Sequence, residues 1–296
     1  MNLNGLWREN YPMAKLSTWR VGGPARVLFT PADMEDLRCF LLEACEDFLM
    51  IGYGSNLLVR DGGVDEVVIR TAPGLCTLRR EKDGLVYAEA GVGCPKLARF
   101  CVKNGLSGGE FFAGVPGTVG GALAMNAGCH GQETWQRVEK AMIFDGEGGF
   151  YEITAADADI GYRSVRLKNA SDDMRFAAAW FNFAVGCEAK SRVTMRDLLN
   201  HRNDTQPIGL PTAGSVFCNP PNDYAAKLIE QCGLKGMRIG GAEVSRKHVN
   251  FIVNKGDATA EDIENLMSKV RDTVREKTGV TLCPEVRVVG KRKSHV

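Results

Sequence analysis

G-E-F-F-A-G-V-P-G-T-V-G-G-A-L-A-M-N-A-G-C-H-G, residues Gly109 to Gly131, decides how the rest of the chain is read. Gly114, Gly117, Gly120 and Gly121 fall within eight residues, Pro116 fixes the backbone between them, and nothing charged lies between Glu110 and Glu133. Glycines at this density reach positive φ and let backbone N–H groups approach a partner with no Cβ in the way. A neutral run of that kind suits an anion held by backbone amides, and the anion expected is the pyrophosphate of a large cofactor. The small residues that follow, Ala122, Ala124 and Ala127, point to close packing against something flat. The plain alternative is an irregular loop.

A second such turn stands earlier, at Gly52-Tyr53-Gly54-Ser55-Asn56. It is not a dinucleotide fingerprint: the third glycine is missing, and the β-formers Leu57-Leu58-Val59 follow where a helix should start. No Gly-Lys-Ser/Thr makes it a P-loop. The residues leave two readings open, a second anion nest or a simple hairpin turn.

At 296 residues about two domains are expected, with room for a third small one. Apolar residues make up 44% and charged residues 25%, as in soluble globular proteins. The net charge is +1 and no long basic run occurs, so nucleic acid is not an expected partner. Ten cysteines contain no C-x-x-C pair; the nearest neighbours are Cys39 with Cys45 and Cys94 with Cys101. Residues 1–20 lack a signal-peptide core, and no apolar run approaches membrane-spanning length. The expectation is a reduced, cytoplasmic protein whose cysteines are mostly small buried hydrophobes.

Periodicity gives a coarse order of elements. Strands are expected at Ala25–Phe29, Phe48–Ile51, Val67–Arg70, Val86–Ala90, Ala141–Phe144, Phe150–Ile153, Ala177–Val185, Asn250–Val253 and Glu285–Val289. The two strands about Asp145-Gly146 form a hairpin. Helices are expected over residues 34–45, with Leu37, Phe40, Leu41 and Ala44 in register, and over Cys94–Asn104, Val193–Arg202 and Tyr224–Gln231. The clearest helix is Thr259–Lys277: Thr259 and Asp262 form a capping box, Ile263, Leu266, Met267, Val270 and Val274 form one stripe, and Gly279 closes it.

None of the histidines, His130, His201, His248 and His295, lies at metal-ligand spacing, and no metal site is expected. There is no G-x-S-x-G. Three polar spots remain. Arg163 in G-Y-R-S presents a bidentate donor suited to a carboxylate or phosphate, or is a surface arginine. Ser215 in A-G-S-V-F presents a hydroxyl, or is a turn residue. Glu285 in C-P-E-V-R puts an acid at the head of an apolar strand, or pairs with Arg287 or another arginine.

Taken together, the segments S-T-W-R-V-G-G-P-A, G-Y-G-S-N-L-L-V, A-G-V-P-G-T-V-G-G-A-L-A-M-N-A-G, G-Y-R-S, A-G-S-V-F, G-G-A-E-V-S-R-K-H and P-E-V-R-V-V-G resemble, in order and over nearly the whole chain, the UDP-N-acetylenolpyruvoylglucosamine reductase family. These are flavoenzymes of bacterial cell-wall precursor synthesis. The resemblance implies an α+β protein: a bipartite FAD-binding unit of the vanillyl-alcohol-oxidase-like type, at 1–72 and 73–200, followed by a smaller α+β substrate-binding domain at 201–296. It implies non-covalent FAD cradled by Tyr53, Gly54, Ser55 and Asn56 and by Gly114, Val115, Pro116, Gly117, Thr118, Gly120, Gly121 and Ala122. It implies NADPH as hydride donor, a UDP-sugar enolpyruvate as substrate, and a cytoplasmic monomer. Arg163 then holds the substrate carboxylate, Ser215 delivers a proton, Glu285 matches the family's glutamate, and Asn219 contacts substrate. An ionised Glu285 repels an enolate, so it is either protonated in the complex or orients a donor.

Departures from the family pattern fall at two cysteines. Cys218 stands where Phe-Lys-Asn-Pro has lysine, and Cys283 where Glu-Pro-Glu has its first glutamate. The span from Arg163 to Ser215 is too short for the tyrosine-bearing loop of one subclass, so the chain resembles the loop-less subclass, and the uridine-diphosphate contacts stay undefined. Two rival readings are an FAD oxidase that tethers flavin through His130, and a flavin-binding module without turnover.

Overall fold

The computed structural model describes residues 3–43, 47–168, 171 and 174–293. Cys45, Ala44 and His295 lie outside them. The described residues gather into two compact units that the chain visits alternately. One is drawn from Met1–Arg8, Val27–Gly52 and Glu66–His201, the other from Glu9–Arg26, Tyr53–Asp65 and Arg202–Val296. The units do not follow continuous sequence. The division at 1–72, 73–200 and 201–296 is therefore a functional one, taken up below.

In the first unit, Phe48–Ile51 lies parallel to residues 67–70. Helix α1 (Met34–Glu43) buries Leu37, Phe40 and Leu41 in a cluster with Phe29, Ile69 and Phe144. A five-stranded antiparallel sheet follows, in the order Phe150–Ile153, Val138–Phe144, Arg175–Phe181, Val86–Glu89, Leu78–Arg80. Its third strand carries Ala177, Ala178 and Ala179, all fully buried. These small side chains admit a helix at close range. That helix is α3 (Val119–Met125), preceded by α2 (Cys94–Lys103). Helix α2 begins beyond Gly93 with proline in its first turn, as a proline without an N–H prefers, and it buries Leu97, Ala98, Cys101 and Val102.

Helix α4 (Glu188–Thr205) is longer than the expected Val193–Arg202. Ser191 is its one buried residue, so no apolar stripe marks its ends. An Arg192–Glu188 pair supports its first turns instead. The expected strand Ala177–Val185 is two: Arg175–Phe181, and Ala184–Val185 paired with Leu106–Ser107. Between them Asn182 turns its N–H to the Arg137 carbonyl.

In the second unit, α5 (Ala225–Gln231) and α6 (Ala260–Thr278) join an antiparallel sheet of Arg238–Ile239, Ala242–Val244 and Ile252–Asn254. The capping box of α6 is present with both bonds at 3.0 Å: Asp262 N–H to Thr259 Oγ1, and Thr259 N–H to the Asp262 carboxylate. The expected stripe is the buried face. Leu57–Val59 lies parallel to Arg287–Val289. Phe48–Ile51 and Leu57–Val59 thus take different partners, and the turn between them is not a hairpin.

Candidate active site

The Gly109–Gly131 stretch folds as a short 3₁₀ turn at Glu110–Gly114, a connection, and α3. The helix inside it is an addition to the sequence reading. Glycine depresses helix propensity, and here tertiary contact overrides it. Gly120 is required by packing, since a Cβ there would stand 2.8 Å from the Ala90 Cβ. Gly121 is different. It is exposed, and a Cβ there would meet only Thr118 Oγ1, at 3.9 Å. The protein's own packing does not need that glycine. A surface left bare beside a neutral loop is what a flat ligand laid on backbone requires. Thr118 is itself buried, and a Cβ on Gly52 would collide with its hydroxyl, so the end of Phe48–Ile51 abuts this loop.

The second loop, Tyr53–Asn56, is held by the S-T-W-R segment. Thr18 donates its N–H to the Gly54 carbonyl at 3.3 Å, and fully buried Trp19 donates Nε1–H to the Ile252 carbonyl at 2.7 Å. Among the described residues, the N–H groups of Gly54, Ser55 and Asn56 donate to no backbone carbonyl. Backbone donors in a glycine turn fit an anion such as a pyrophosphate, and the uncovered glycine in α3 separately fits a flat group laid on its helix; FAD carries groups of both kinds.

Arg163 is the second of the two residues that close the hairpin of Ala158–Gly161 with Ser164–Leu167. Its φ is +55°, a region where a side chain costs on the order of 1 kcal/mol or more. The surroundings impose it. Arg163 Nη2 donates to the Gly128 carbonyl at 3.0 Å, and buried Asn126 donates Nδ2 to the Gly161 carbonyl at 3.1 Å and to Glu133 Oε2 at 2.8 Å. The hairpin is thereby pinned to the residues that follow α3. The Arg163 guanidinium is held at the Gly128 carbonyl. His130, the residue of the tethered-flavin rival, also has positive φ, and its ring stands edge-on to His201 at 5.4 Å. Burial, then the His201 charge, hold its pKa below the ordinary imidazole value.

The segments that carry Ser215 and Glu285 run side by side at an isolated antiparallel bridge of the second unit. Gly214, at φ +76°, turns the chain into Ser215. Phe217 then pairs with Pro284, the Glu285 N–H donates to the Val216 carbonyl at 2.8 Å, and the Cys218 N–H donates to the Cys283 carbonyl at 2.9 Å. Both Ser215 and Glu285 are half-buried. Buried Asn250 clamps the first strand: its Oδ1 accepts from Phe217 N–H at 3.1 Å, its Nδ2 donates to the Phe217 carbonyl at 2.8 Å, and its own carbonyl accepts from Val216 N–H at 2.8 Å. On the other side, Asn56 Nδ2 donates to the Glu285 carbonyl at 3.0 Å. Asn219 is exposed, and its Oδ1 accepts from Ala225 N–H at 3.1 Å, holding the start of α5.

Three positioning asparagines, Asn56, Asn126 and Asn250, therefore escaped the sequence reading in these roles. The signal available was a polar amide inside an apolar or small-residue run, as in M-N-A-G and V-N-F. The G-G-A-E-V-S-R-K-H segment lines a cavity of about 310 Å³ in the second unit, with Ser245, Arg246, Lys247 and Lys255 on its wall. Among the described residues no group of histidine, cysteine or carboxylate side chains could hold a metal ion.

Comparison with known proteins matches two family models: an FAD binding domain over residues 25–154, and the C-terminal domain of UDP-N-acetylenolpyruvoylglucosamine reductase over residues 206–289. A UDP-N-acetylenolpyruvoylglucosamine reductase of Nitrosomonas eutropha is 49% identical over 303 residues, covering 99% of this chain and 91% of the relative. That of Alkalilimnicola ehrlichii is 50% identical, covering 98% of this chain and 97% of the relative. The crystal structure of the corresponding enzyme from Thermus caldophilus superposes with a TM-score of 0.83 at 32% identity, covering 97% of this chain and 99% of that one.

Proposed function

This chain belongs to the UDP-N-acetylenolpyruvoylglucosamine reductase family, and from that premise we propose that Arg163, Ser215 and Glu285 carry its reaction. The enzyme is an FAD-dependent oxidoreductase that reduces the enolpyruvyl group of UDP-N-acetylglucosamine enolpyruvate to UDP-N-acetylmuramate, with NADPH as co-substrate, in peptidoglycan precursor synthesis. Bound FAD supplies the relay of hydride from NADPH to the methylene carbon of the enolpyruvyl group.

Hydride addition to an enol ether conjugated to a carboxylate builds negative charge on that carboxylate, as an enolate. Arg163 grips it by a charge-assisted fork, and the strained hairpin keeps the fork aimed. Ser215 gives its proton to the adjacent carbon. Serine is a weak acid, but an enolate carbon is a strong base, so a positioned hydroxyl suffices. Glu285 acts as a neutral acid or as the group that orients the donor, since an ionised carboxylate facing the enolate would oppose the step. Asn219 lends its exposed amide to the sugar nucleotide.

For the cofactor, we assign Tyr53–Asn56 and Gly114–Ala122 as its cradle, within FAD-binding segments 1–72 and 73–200, and we assign 201–296 to substrate. The observation that carries this reading is the unbroken link from Ser215 through the Val216–Glu285 hydrogen bond to Asn56, which ties the acid and the carboxylate to a cofactor loop. The reading extends to a cytoplasmic monomer with no nucleic-acid or membrane partner. On nucleic acid, support comes from the net charge of +1 without a basic run; among the described residues no helix is long and apolar enough to cross a membrane.

The test is flavin reoxidation. Protein purified with its flavin and reduced by NADPH should be reoxidised rapidly by the enolpyruvyl sugar nucleotide under anaerobic conditions. Reoxidation by oxygen alone, or a flavin that stays with acid-precipitated protein, would favour the oxidase rival.

A further inference from the structure

The two departures from the family pattern, Cys218 and Cys283, are one structural feature. They lie across from each other beside the isolated antiparallel bridge of the segments that carry Ser215 and Glu285, joined by the 2.9 Å bond from Cys218 N–H to the Cys283 carbonyl. The bracketing contacts, Phe217 with Pro284 and Glu285 N–H to the Val216 carbonyl, fix the register. Opposed residues joined by a ladder hydrogen bond in an antiparallel pair stand about 5.5 Å apart at Cα, with side chains on one face. A disulfide spans Cα atoms about 4.4–6.8 Å apart.

Their surroundings differ from those of the core cysteines. Cys94 and Cys101 are buried, and burial pushes the Cys101 thiol up to about 12, with Glu110 adding to it. Cys283 is exposed and Cys218 half-buried. A thiol reagent can therefore reach the first, and the second stands opposite to resolve the product.

We propose that Cys218 and Cys283 are a reversible thiol–disulfide site that clamps the strand pair holding Ser215 and Glu285. Its effect on turnover rests on the roles given to those two residues above. The oxidant is a small disulfide of the glutathione class. The Cys283 thiolate attacks one sulfur of glutathione disulfide, the S–S bond breaks, and one glutathione leaves as thiolate and takes up a proton. The Cys218 thiolate then attacks the Cys283 sulfur of the mixed disulfide, forming the internal bond and expelling the second glutathione. The protein loses two electrons and two protons, and one glutathione disulfide becomes two glutathiones. An exposed bond of this kind, in a reducing compartment, cycles rather than staples. The covalent clamp stops Val216–Cys218 from adjusting against Cys283–Glu285, and small misplacements of a positioned acid are costly.

The experiment incubates the full-length, FAD-loaded protein with glutathione disulfide, alkylates remaining thiols, and maps non-reduced peptides. One linked peptide, Cys218 to Cys283, is expected. In the same samples, reoxidation of the NADPH-reduced flavin by the enolpyruvyl sugar nucleotide should slow about tenfold or more, flavin reduction by NADPH should be unchanged, and dithiothreitol should restore the rate. Cys218→Ser and Cys283→Ser should each abolish both the link and the slowing. A map joining either cysteine to another partner, or leaving each with glutathione alone, overturns the pair. A linked protein reoxidised as fast as the reduced one overturns its control of turnover. Untreated protein that the nucleotide cannot reoxidise would overturn the roles of Ser215 and Glu285, while the peptide map still reads the pair.

Discussion

Asn56 holds Glu285 by the backbone: its Nδ2 donates to the Glu285 carbonyl at 3.0 Å, and its own carbonyl accepts from Arg287 N–H at 3.2 Å. A residue of the loop proposed above for the cofactor thus holds the backbone from which the Glu285 carboxylate projects. Asn56→Ala removes the amide and leaves a partly buried carbonyl without its donor. The expected cost is about 1–3 kcal/mol of stability, read as a lower urea midpoint. With flavin retained, kcat should fall more than KM rises, because Glu285 is misaimed rather than substrate binding lost. A variant with unchanged kcat would show that Glu285 needs no such support.

Gly121, assigned above to the proposed cofactor cradle, is the position at which cofactor binding can be tested apart from folding. Gly120→Val and Thr118→Asp are poor probes, since the first collides with Ala90 and the second buries a charge at a fully packed position. Gly121→Ala meets nothing nearer than 3.9 Å. It should raise the stability of the flavin-free protein by about 0.4–1 kcal/mol, by narrowing the unfolded ensemble. It should nevertheless lose FAD, which thermal melts with and without added FAD would reveal. Stoichiometric FAD in a stabilised Gly121→Ala protein would move the cofactor off α3.

The legible parts of this chain were those where one local device decides the outcome. The α6 stripe and its Thr259–Asp262 box fixed a helix whatever surrounded it. Helix α3 was hidden because its two glycines argue against a helix until Ala90 and the Ala177–Ala179 stripe are in place beside them. The ends of α4 were hidden because a helix with one buried residue has no apolar period to count. The Gly52–Asn56 turn stayed open between a hairpin and an anion nest because partner choice is non-local: Phe48–Ile51 pairs with residues 67–70, and Leu57–Val59 pairs with a strand more than two hundred residues away in the chain. Arg163, Ser215 and Glu285 were singled out by residue type, but the clamps that aim them, Asn126, Asn250 and Asn56, depend on contacts that no local pattern encodes.

His248 gives a pH dependence with a definite sign. Burial holds its pKa below the ordinary imidazole value, and its buried Nδ1 has no hydrogen-bond partner among the described residues. The folded protein therefore keeps the ring neutral where the unfolded chain, titrating near about 6.5, takes up a proton. Stability from this group is complete above that value and is lost as pH falls through it toward the lowered folded pKa. His130 is displaced in the same direction, so the diagnostic is a difference. Urea midpoints from about pH 8 to about pH 5 should fall less steeply in His248→Gln than in the unmodified protein. Parallel slopes would mean that His248 is protonated in the folded state.

Arg163→Lys should be nearly as damaging as Arg163→Ala. A point charge cannot replace a planar fork on two carboxylate oxygens, and the Gly128 contact that fixes the side chain is made through Nη2. The loss should fall on flavin reoxidation by the sugar nucleotide and leave flavin reduction by NADPH largely alone. Stopped-flow traces of the two half-reactions decide it. Slow reduction by NADPH in Arg163→Lys would place the arginine at the nicotinamide instead.

Ser215 is the residue on which the proton step turns. If it only completes the turn after Gly214, Ser215→Ala costs about 1 kcal/mol of stability and turnover barely moves. If it donates the proton, loss of a positioned general acid costs on the order of a hundredfold or more in substrate reduction. Reduction of flavin by NADPH should be close to normal, because that step forms no enolate. Ser215→Cys should keep part of the activity, since a thiol is a stronger acid carried on a longer bond. Asn250 provides the control. Asn250→Ala frees the Val216–Phe217 segment from its clamp without touching the hydroxyl, so it should slow the substrate step while still allowing protonation, and Ser215→Ala in that background should add less than it does alone. The measurement is single-turnover mixing of NADPH-reduced protein with the enolpyruvyl sugar nucleotide, following flavin absorbance. Reoxidation of Ser215→Ala at the unmodified rate would remove Ser215 from the mechanism and pass the proton to Glu285, the neighbouring acid on the same strand pair.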